Sequence, residues 1–410
     1  MKKGLFLMGM LLGLMLFCCG CTTNRNPGRP VPLTPIPIPT KGPETVTPTF
    51  APYVPNYDPV DYLMTEDNVK TIGRTYYDRD VRWCGYSGSG VEFFFAGREC
   101  TIHFKSDDRY DNPGHEARVA VFVDGERAAD FLMDAPEKSV KVIDSGTDTI
   151  ATVRVVKLSE VSDSFVGLDC VTVVGAISPL SSLPTRIEFV GDSITCGYGV
   201  DGEFEKDVYA TSNEDCTKAY AYKTAQRLNA DYSLVSISGF GIVSGYTATG
   251  EKQADKILPP YYLTIGKSDA TFGSDLNAEE ITWDFDSFRP DIVVINLGTN
   301  DQSYCKDEAK RREYIDGYKE FLKTVREKNP DAKIICTLGI MGTDLCPSME
   351  TAVREYKEQS GDENITTFLF EEQDQAKDGV AVDWHPSEAT HEKAAKKLAD
   401  FITELLREEW

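Results

Sequence analysis

Five short apolar runs recur through the second half of this chain: RIEFVG (186–191), YSLVSISG (232–239), DIVVINLG (291–298), KIICTLGI (333–340) and NITTFLF (364–370). Among them lie four stretches of helical length, AYAYKTAQRLNA, RREYIDGYKEFLKTVREKN, SMETAVREYKEQS and ATHEKAAKKLADFITELLREEW. Unbroken apolar runs suit strands buried on both faces. Strands alternating with helices imply a parallel sheet covered by helices on both sides. The fold class is therefore α/β, with a doubly wound parallel sheet spanning 183–410. In such a sheet the working groups gather at the carboxyl ends of the strands.

That rule selects few residues. Ser193 follows the first run in EFVGDSITCGYG, Gly239 the second in SISGFG, and Asn300 the third in NLGTND. His385 stands in DWHPSEATH, ahead of the last helix, with Asp383 two residues before it. A serine, a histidine, a carboxylate and hydrogen-bond donors are what acyl transfer requires. Ser193 would be the nucleophile and His385 the base. Asp383 would hold the imidazole, and the Ser193 and Gly239 amides with the Asn300 side chain would face the oxyanion. A neutral imidazole is the competent base, so activity should rise as His385 titrates near neutral pH. Singly, each residue has a plainer use: GDS as a helix cap, GTND as a turn, His385 as a surface residue.

Earlier in the chain the texture is different. Residues 65–178 hold alternating, β-rich runs such as GVEFFFAG, CTIHFKS and ARVAVFVDG, broken by the turn signals DNPG and VDGE. They predict an antiparallel β-sandwich of jelly-roll type over 63–180, joined to the second domain through SPLSSLPT. Residues 22–62 form a Pro/Thr-rich linker, with eleven of the 21 prolines between 22 and 60, and cannot bury a core. At the N-terminus MKK, an apolar stretch and CCGC make a signal peptide over 1–21, with Cys21 as a candidate lipid-anchor cysteine. The expectation is a membrane-anchored lipoprotein on a bacterial cell surface, outside the cytoplasm.

The net charge of −23, from 43 basic and 66 acidic side chains, argues against nucleic acid as a partner. GFGIVSG misses the dinucleotide fingerprint, and Gly191–Thr195 is not G-x-S-x-G. His385 and His391 are six apart, which is not the spacing of a helical metal pair, so neither cofactor nor metal is expected. The eight cysteines after Cys21 follow no zinc pattern, and their pairing stays open.

Together GDSITCGYG, SISGFG, NLGTND and DWHP resemble the four blocks of SGNH (GDSL-type) hydrolases. The match is closer to carbohydrate esterase family 2, whose β-sandwich partner is similar to IGR (72–74), GSGVEFFFAG, VFVDGE and VVKLSE here. The resemblance implies a serine esterase removing O-acetyl groups from xylan- or mannan-type polysaccharides, with Ser193 as nucleophile, His385 as base, and Ser193, Gly239 and Asn300 as oxyanion hole. Some members of that family lack the aspartate and hold the histidine with a backbone carbonyl; Asp383 is present here, which favours a full triad. Asp192, Tyr198, Trp283 and Trp384, with Tyr246, are candidates for contact with the sugar. Rival readings are an esterase for lipid or peptidoglycan O-acetyl esters, and a non-catalytic glycan-binding surface protein.

Overall fold

The computed structural model describes residues 58–407. The expected signal segment, Cys21 and the proline-rich stretch through residue 57 lie outside them. The described residues fall within one compact unit, Tyr53–Trp410.

Nine strands come first: β1 (Val60–Leu63), β2 (Lys70–Ile72), β3 (Thr75–Asp78), β4 (Val81–Cys84), β5 (Gly90–Ser106), β6 (Arg118–Val123), β7 (Glu126–Leu132), β8 (Glu137–Lys157) and β9 (Val166–Pro179). All pair antiparallel in one sheet of order β3-β4-β9-β5-β8-β6-β7, with β1 on β9 and β2 on β5. The long strands curl because their register shifts beside Gly97, where Gly175 lies opposite. A side chain at either glycine would collide with the facing backbone, and both have positive φ. Phe93, Phe95, Ile102, Val119, Val153 and Leu168 fill the inside of the curl.

Five parallel strands follow: β10 (Arg186–Gly191), β11 (Asp231–Ser236), β12 (Ile292–Asn296), β13 (Lys333–Leu338) and β14 (Ile365–Leu369). Each matches one of the apolar runs, in the spatial order β11-β10-β12-β13-β14. The helices are α1 (Ser193–Cys196), α2 (Tyr220–Leu228), α3 (Glu308–Lys328), α4 (Cys346–Ser360), α5 (Gln375–Asp378) and α6 (Glu388–Arg407). Alternation along the strands feeds two cores. Ile187, Phe189, Val294 and Ile335 pack with α2 and α6, while Val190, Val293, Ile295 and Ile334 pack with α3 and α4. The strand order reverses at β10, leaving a crevice between the carboxyl ends of β10 and β12, where such sheets hold ligands. All eight cysteines among the described residues are free.

The two sheets are joined through charge as well as apolar contact. Arg74, one residue past the left-handed Gly73, enters the second domain and donates to Tyr262 O (2.5 Å), Thr264 O (3.0 Å) and Glu188 Oε2 (3.2 Å). Its guanidinium lies 4.9–5.3 Å from the ring centres of Tyr262, Trp283 and Phe285. Glu188, on β10, is also held by Tyr262 Oη at 2.8 Å and Ser233 Oγ at 3.2 Å. Removing one member of a buried ion pair leaves the other charge uncompensated, so Arg74→Ala should cost about 3–5 kcal/mol. Urea denaturation measures it; a loss under about 1 kcal/mol, the scale of an exposed pair, would show that the contact is not structural.

Candidate active site

β10 delivers Ser193 at the first position of α1. Asp192, the cap, accepts from the amide of Ile194 at 3.0 Å, which fixes the turn. The first amides of a helix have no intrahelical acceptor, so the N–H of Ser193 is not consumed by α1. Ser193 Oγ lies 2.8 Å from His385 Nε2. Residues separated by 192 positions therefore meet at hydrogen-bond distance.

The histidine is held by its own main chain. His385 Nδ1 lies 3.1 Å from the carbonyl of Val382, which also accepts from the His385 amide at 3.0 Å. Donation by Nδ1 leaves the Nε2 lone pair facing the serine. Asp383 does not take this place: its carboxylate accepts from Tyr198 Oη at 2.9 Å. The physical reason is backbone geometry. Asp383 and Trp384 both have positive φ (51° and 65°), a turn that presents the Val382 carbonyl to the ring while the Asp383 carboxylate pairs with Tyr198. Gly199 permits this turn to approach, since a Cβ there would sit 2.6 Å from Val382 Cβ.

Burial pushes the imidazolium of His385 down to about 4, opposed by the bond to Val382 and the charge of Asp383. The ring is thus already neutral at pH 5, well below the near-neutral titration expected from the sequence. His391 is a core residue on α6 whose Nδ1 accepts from the Tyr220 amide at 3.1 Å, and burial lowers it to about 3.

Gly239 and Asn300 border the same cleft as Ser193 and His385, a space of about 1010 Å³. Gly239 takes φ 78°, and its carbonyl accepts from the Tyr246 amide at 2.9 Å. Asn300 Nδ2 donates to Phe240 O at 2.8 Å and, more weakly, to Asp192 Oδ2 at 3.3 Å. Asp301 binds the amides of Ile242, Val243 and Ser244 at 2.8, 2.8 and 3.0 Å, pinning the loop after β11 to the end of β12. Sequence reading passed over Asp301; its one signal was an acid abutting Asn300.

The remaining candidates divide. Asp192 is fully buried, pushed up to about 7 by burial, and accepts from the Ile194 amide and Asn300 rather than facing the open cleft. Trp283 lies elsewhere, buried against Arg74 in a crevice between the two sheets, because its ring serves the guanidinium. Tyr198 borders the cleft, but its ring is stacked on Tyr209 at 4.0 Å and packed on His385 at 4.3 Å, so neighbouring rings cover it. Trp384 and Tyr246 remain open, 53% and 62% exposed, and both line the cleft.

Residues 189–393 match the GDSL-like Lipase/Acylhydrolase family, and residues 71–176 the Carbohydrate esterase 2 N-terminal family. Cellulase/esterase CelE of Acetivibrio thermocellus is 33% identical over 324 residues, 77% of this chain and 36% of that protein. The chain thus spans little more than a third of that relative. A family two carbohydrate esterase from Clostridium thermocellum, solved in complex with cellohexaose, aligns with TM-score 0.71 and 31% identity over 82% of this chain and 99% of that one. An acetyl xylan esterase, Est2A, from Butyrivibrio proteoclasticus aligns with TM-score 0.76 and 25% identity over 85% and 98%.

Nuclear magnetic resonance titration should place His385 half-protonated near pH 4. A midpoint between about 6 and 7, the range of an unperturbed imidazole, would contradict the described burial.

Proposed function

The chain belongs to the GDSL-like lipase/acylhydrolase family and carries a family 2 carbohydrate esterase N-terminal domain; from that premise we propose that it removes O-acetyl groups from xylan- or mannan-type polysaccharides. The observation that carries this reading is the 2.8 Å contact between Ser193 Oγ and His385 Nε2 at the floor of an open cleft.

An alcohol is a poor nucleophile until its proton is taken as it attacks. His385 Nε2 takes that proton, and Ser193 Oγ adds to the acetyl carbon. The tetrahedral oxyanion is met by the amides of Ser193 and Gly239 and by Asn300 Nδ2. The longer of the two Asn300 contacts, to Asp192, is the one the substrate oxygen displaces. Each such donor contributes about 3 kcal/mol to the transition state. His385 then gives its proton to the departing sugar oxygen, leaving acetyl-Ser193. Water, deprotonated by the same imidazole, hydrolyses it to acetate and restores the serine.

During both steps His385 is a cation, stabilised by the Val382 carbonyl and by the charge of Asp383. Asp383 therefore acts through space and through Tyr198 rather than as a direct ring partner. Trp384 and Tyr246 are the aromatic surfaces open to a sugar ring. The same reading makes the antiparallel domain a jelly-roll sandwich and the parallel sheet doubly wound. It also makes the chain an extracytoplasmic lipoprotein anchored through Cys21, supported by MKK, the apolar stretch and CCGC.

Wild-type protein should hydrolyse 4-nitrophenyl acetate, with Ser193→Ala reducing kcat by at least about 10³. Acetate release, measured across acetylated xylan, glucomannan, peptidoglycan and a lipid ester, should be fastest on the plant polysaccharides. Turnover unaffected by Ser193→Ala, or preference for the lipid ester, would overturn the assignment. Because burial holds His385 near 4, kcat/KM should rise with pH through that value and stay level from about pH 5 to 8. An acid limb centred near 6.5 would contradict it.

A further inference from the structure

Between β8 and β9 the antiparallel domain sends the segment 158–165 against the loop that follows β11. Glu160 on this segment is 1% exposed, yet its carboxylate is engaged with the catalytic domain. Its Oε2 accepts from the main-chain amide of Ser238 at 2.7 Å, across 78 positions of sequence. Ser238 immediately precedes Gly239. The same oxygen lies 3.9 Å from the thiol of Cys196, the last residue of α1. We propose that Glu160 is a positioning residue for the oxyanion hole: the antiparallel domain sets the Gly239 amide through the Glu160–Ser238 bond. This rests on the esterase reading above.

The anchoring of Glu160 shows why it can hold a loop. Its amide donates to Glu214 Oε2 at 2.8 Å. Its carbonyl, with that of Ser159, accepts from the buried Lys157 Nζ at 2.9 and 2.7 Å. The Tyr209 hydroxyl lies 3.5 Å from Glu160 Oε1, 2.9 Å from Glu214 Oε2 and 2.7 Å from Asp163 Oδ2. Tyr209 in turn stacks on Tyr198, which packs on His385. The carboxylate thus sits on a fixed support and reaches the turn that carries the oxyanion donor. Asp301 fixes the far side of that turn, through residues 242–244. Gly239 has φ 78° and nothing within 4 Å of where a Cβ would be; its carbonyl is held by the Tyr246 amide at 2.9 Å, and the Glu160 bond fixes the residue on its other side. A misdirected donor weakens the transition state while leaving ground-state sugar contacts alone.

Two variants test this. Glu160→Gln keeps an oxygen acceptor for the Ser238 amide; Glu160→Ala removes it. On 4-nitrophenyl acetate, Glu160→Ala should lower kcat by about 10- to 100-fold with KM within about twofold, and Glu160→Gln should stay within about threefold of wild type. Hydrogen exchange reads the position without any turnover. Amides 237–246 should exchange at least about tenfold faster in Glu160→Ala, with those of β12 unchanged and Glu160→Gln like wild type. Unaltered exchange over 237–246 in Glu160→Ala, or equal loosening in Glu160→Gln, overturns the proposal. Absence of wild-type turnover would instead sink the esterase reading, and the exchange result would still decide this one.

Discussion

The site depends on one main-chain oxygen. The Val382 carbonyl receives both the amide and Nδ1 of His385, and this double acceptance sets the plane of the ring and points Nε2 at Ser193. The turn that makes it possible is strained. Asp383 and Trp384 occupy the left-handed region, which costs on the order of 1–3 kcal/mol at each non-glycine residue. Packing offsets that cost: Val382 is fully buried, its side chain lies against Gly199 and Gly202, and the Ala381 amide closes onto the His385 carbonyl at 2.8 Å. A backbone acceptor has no rotamer to choose, so the ring inherits the rigidity of the fold.

The antiparallel domain is part of that rigidity. Arg74 and Glu188 join the two sheets near the first parallel strand, and Arg127 reaches Asp215 at 2.7 Å while Arg118 reaches Asp201 at 2.8 Å. The last two acceptors, Asp215 and Asp201, lie on the chain between α1 and α2, behind Ser193. Cys216 and Thr211 also donate main-chain bonds to Leu158 and Gly114 across the boundary. The segment behind Ser193 is thus built from both domains. An antiparallel domain serving only to bind glycan would not need its loops buried there.

Much of this was legible in the sequence. Apolar runs and helical periods gave five strands and four main helices, because both periodicities are local properties. Ser193, Gly239 and Asn300 could be chosen because strand ends follow from the strands, and His385 because it stands just ahead of the last helix. The partner of His385 could not. Asp383 and the Val382 carbonyl are one residue apart, and the left-handed turn deciding between them depends on packing against Gly199. Trp283 and Tyr246 look alike in sequence, but one packs on Arg74 between the two sheets and the other opens to the cleft. Glu160 carried no local mark and Asp301 only its place beside Asn300, since their partners are backbone amides of distant segments.

A backbone carbonyl, rather than a carboxylate, receives Nδ1 of His385. The decisive measurement is the kcat/KM of Asp383→Asn on an ester substrate at pH 7. With Val382 holding Nδ1, the loss should remain within about tenfold, the effect of one nearby charge on the imidazolium. A fall approaching 10⁴-fold, as follows loss of a triad aspartate that contacts the ring, would show that Asp383, and not the Val382 carbonyl, holds the histidine during catalysis.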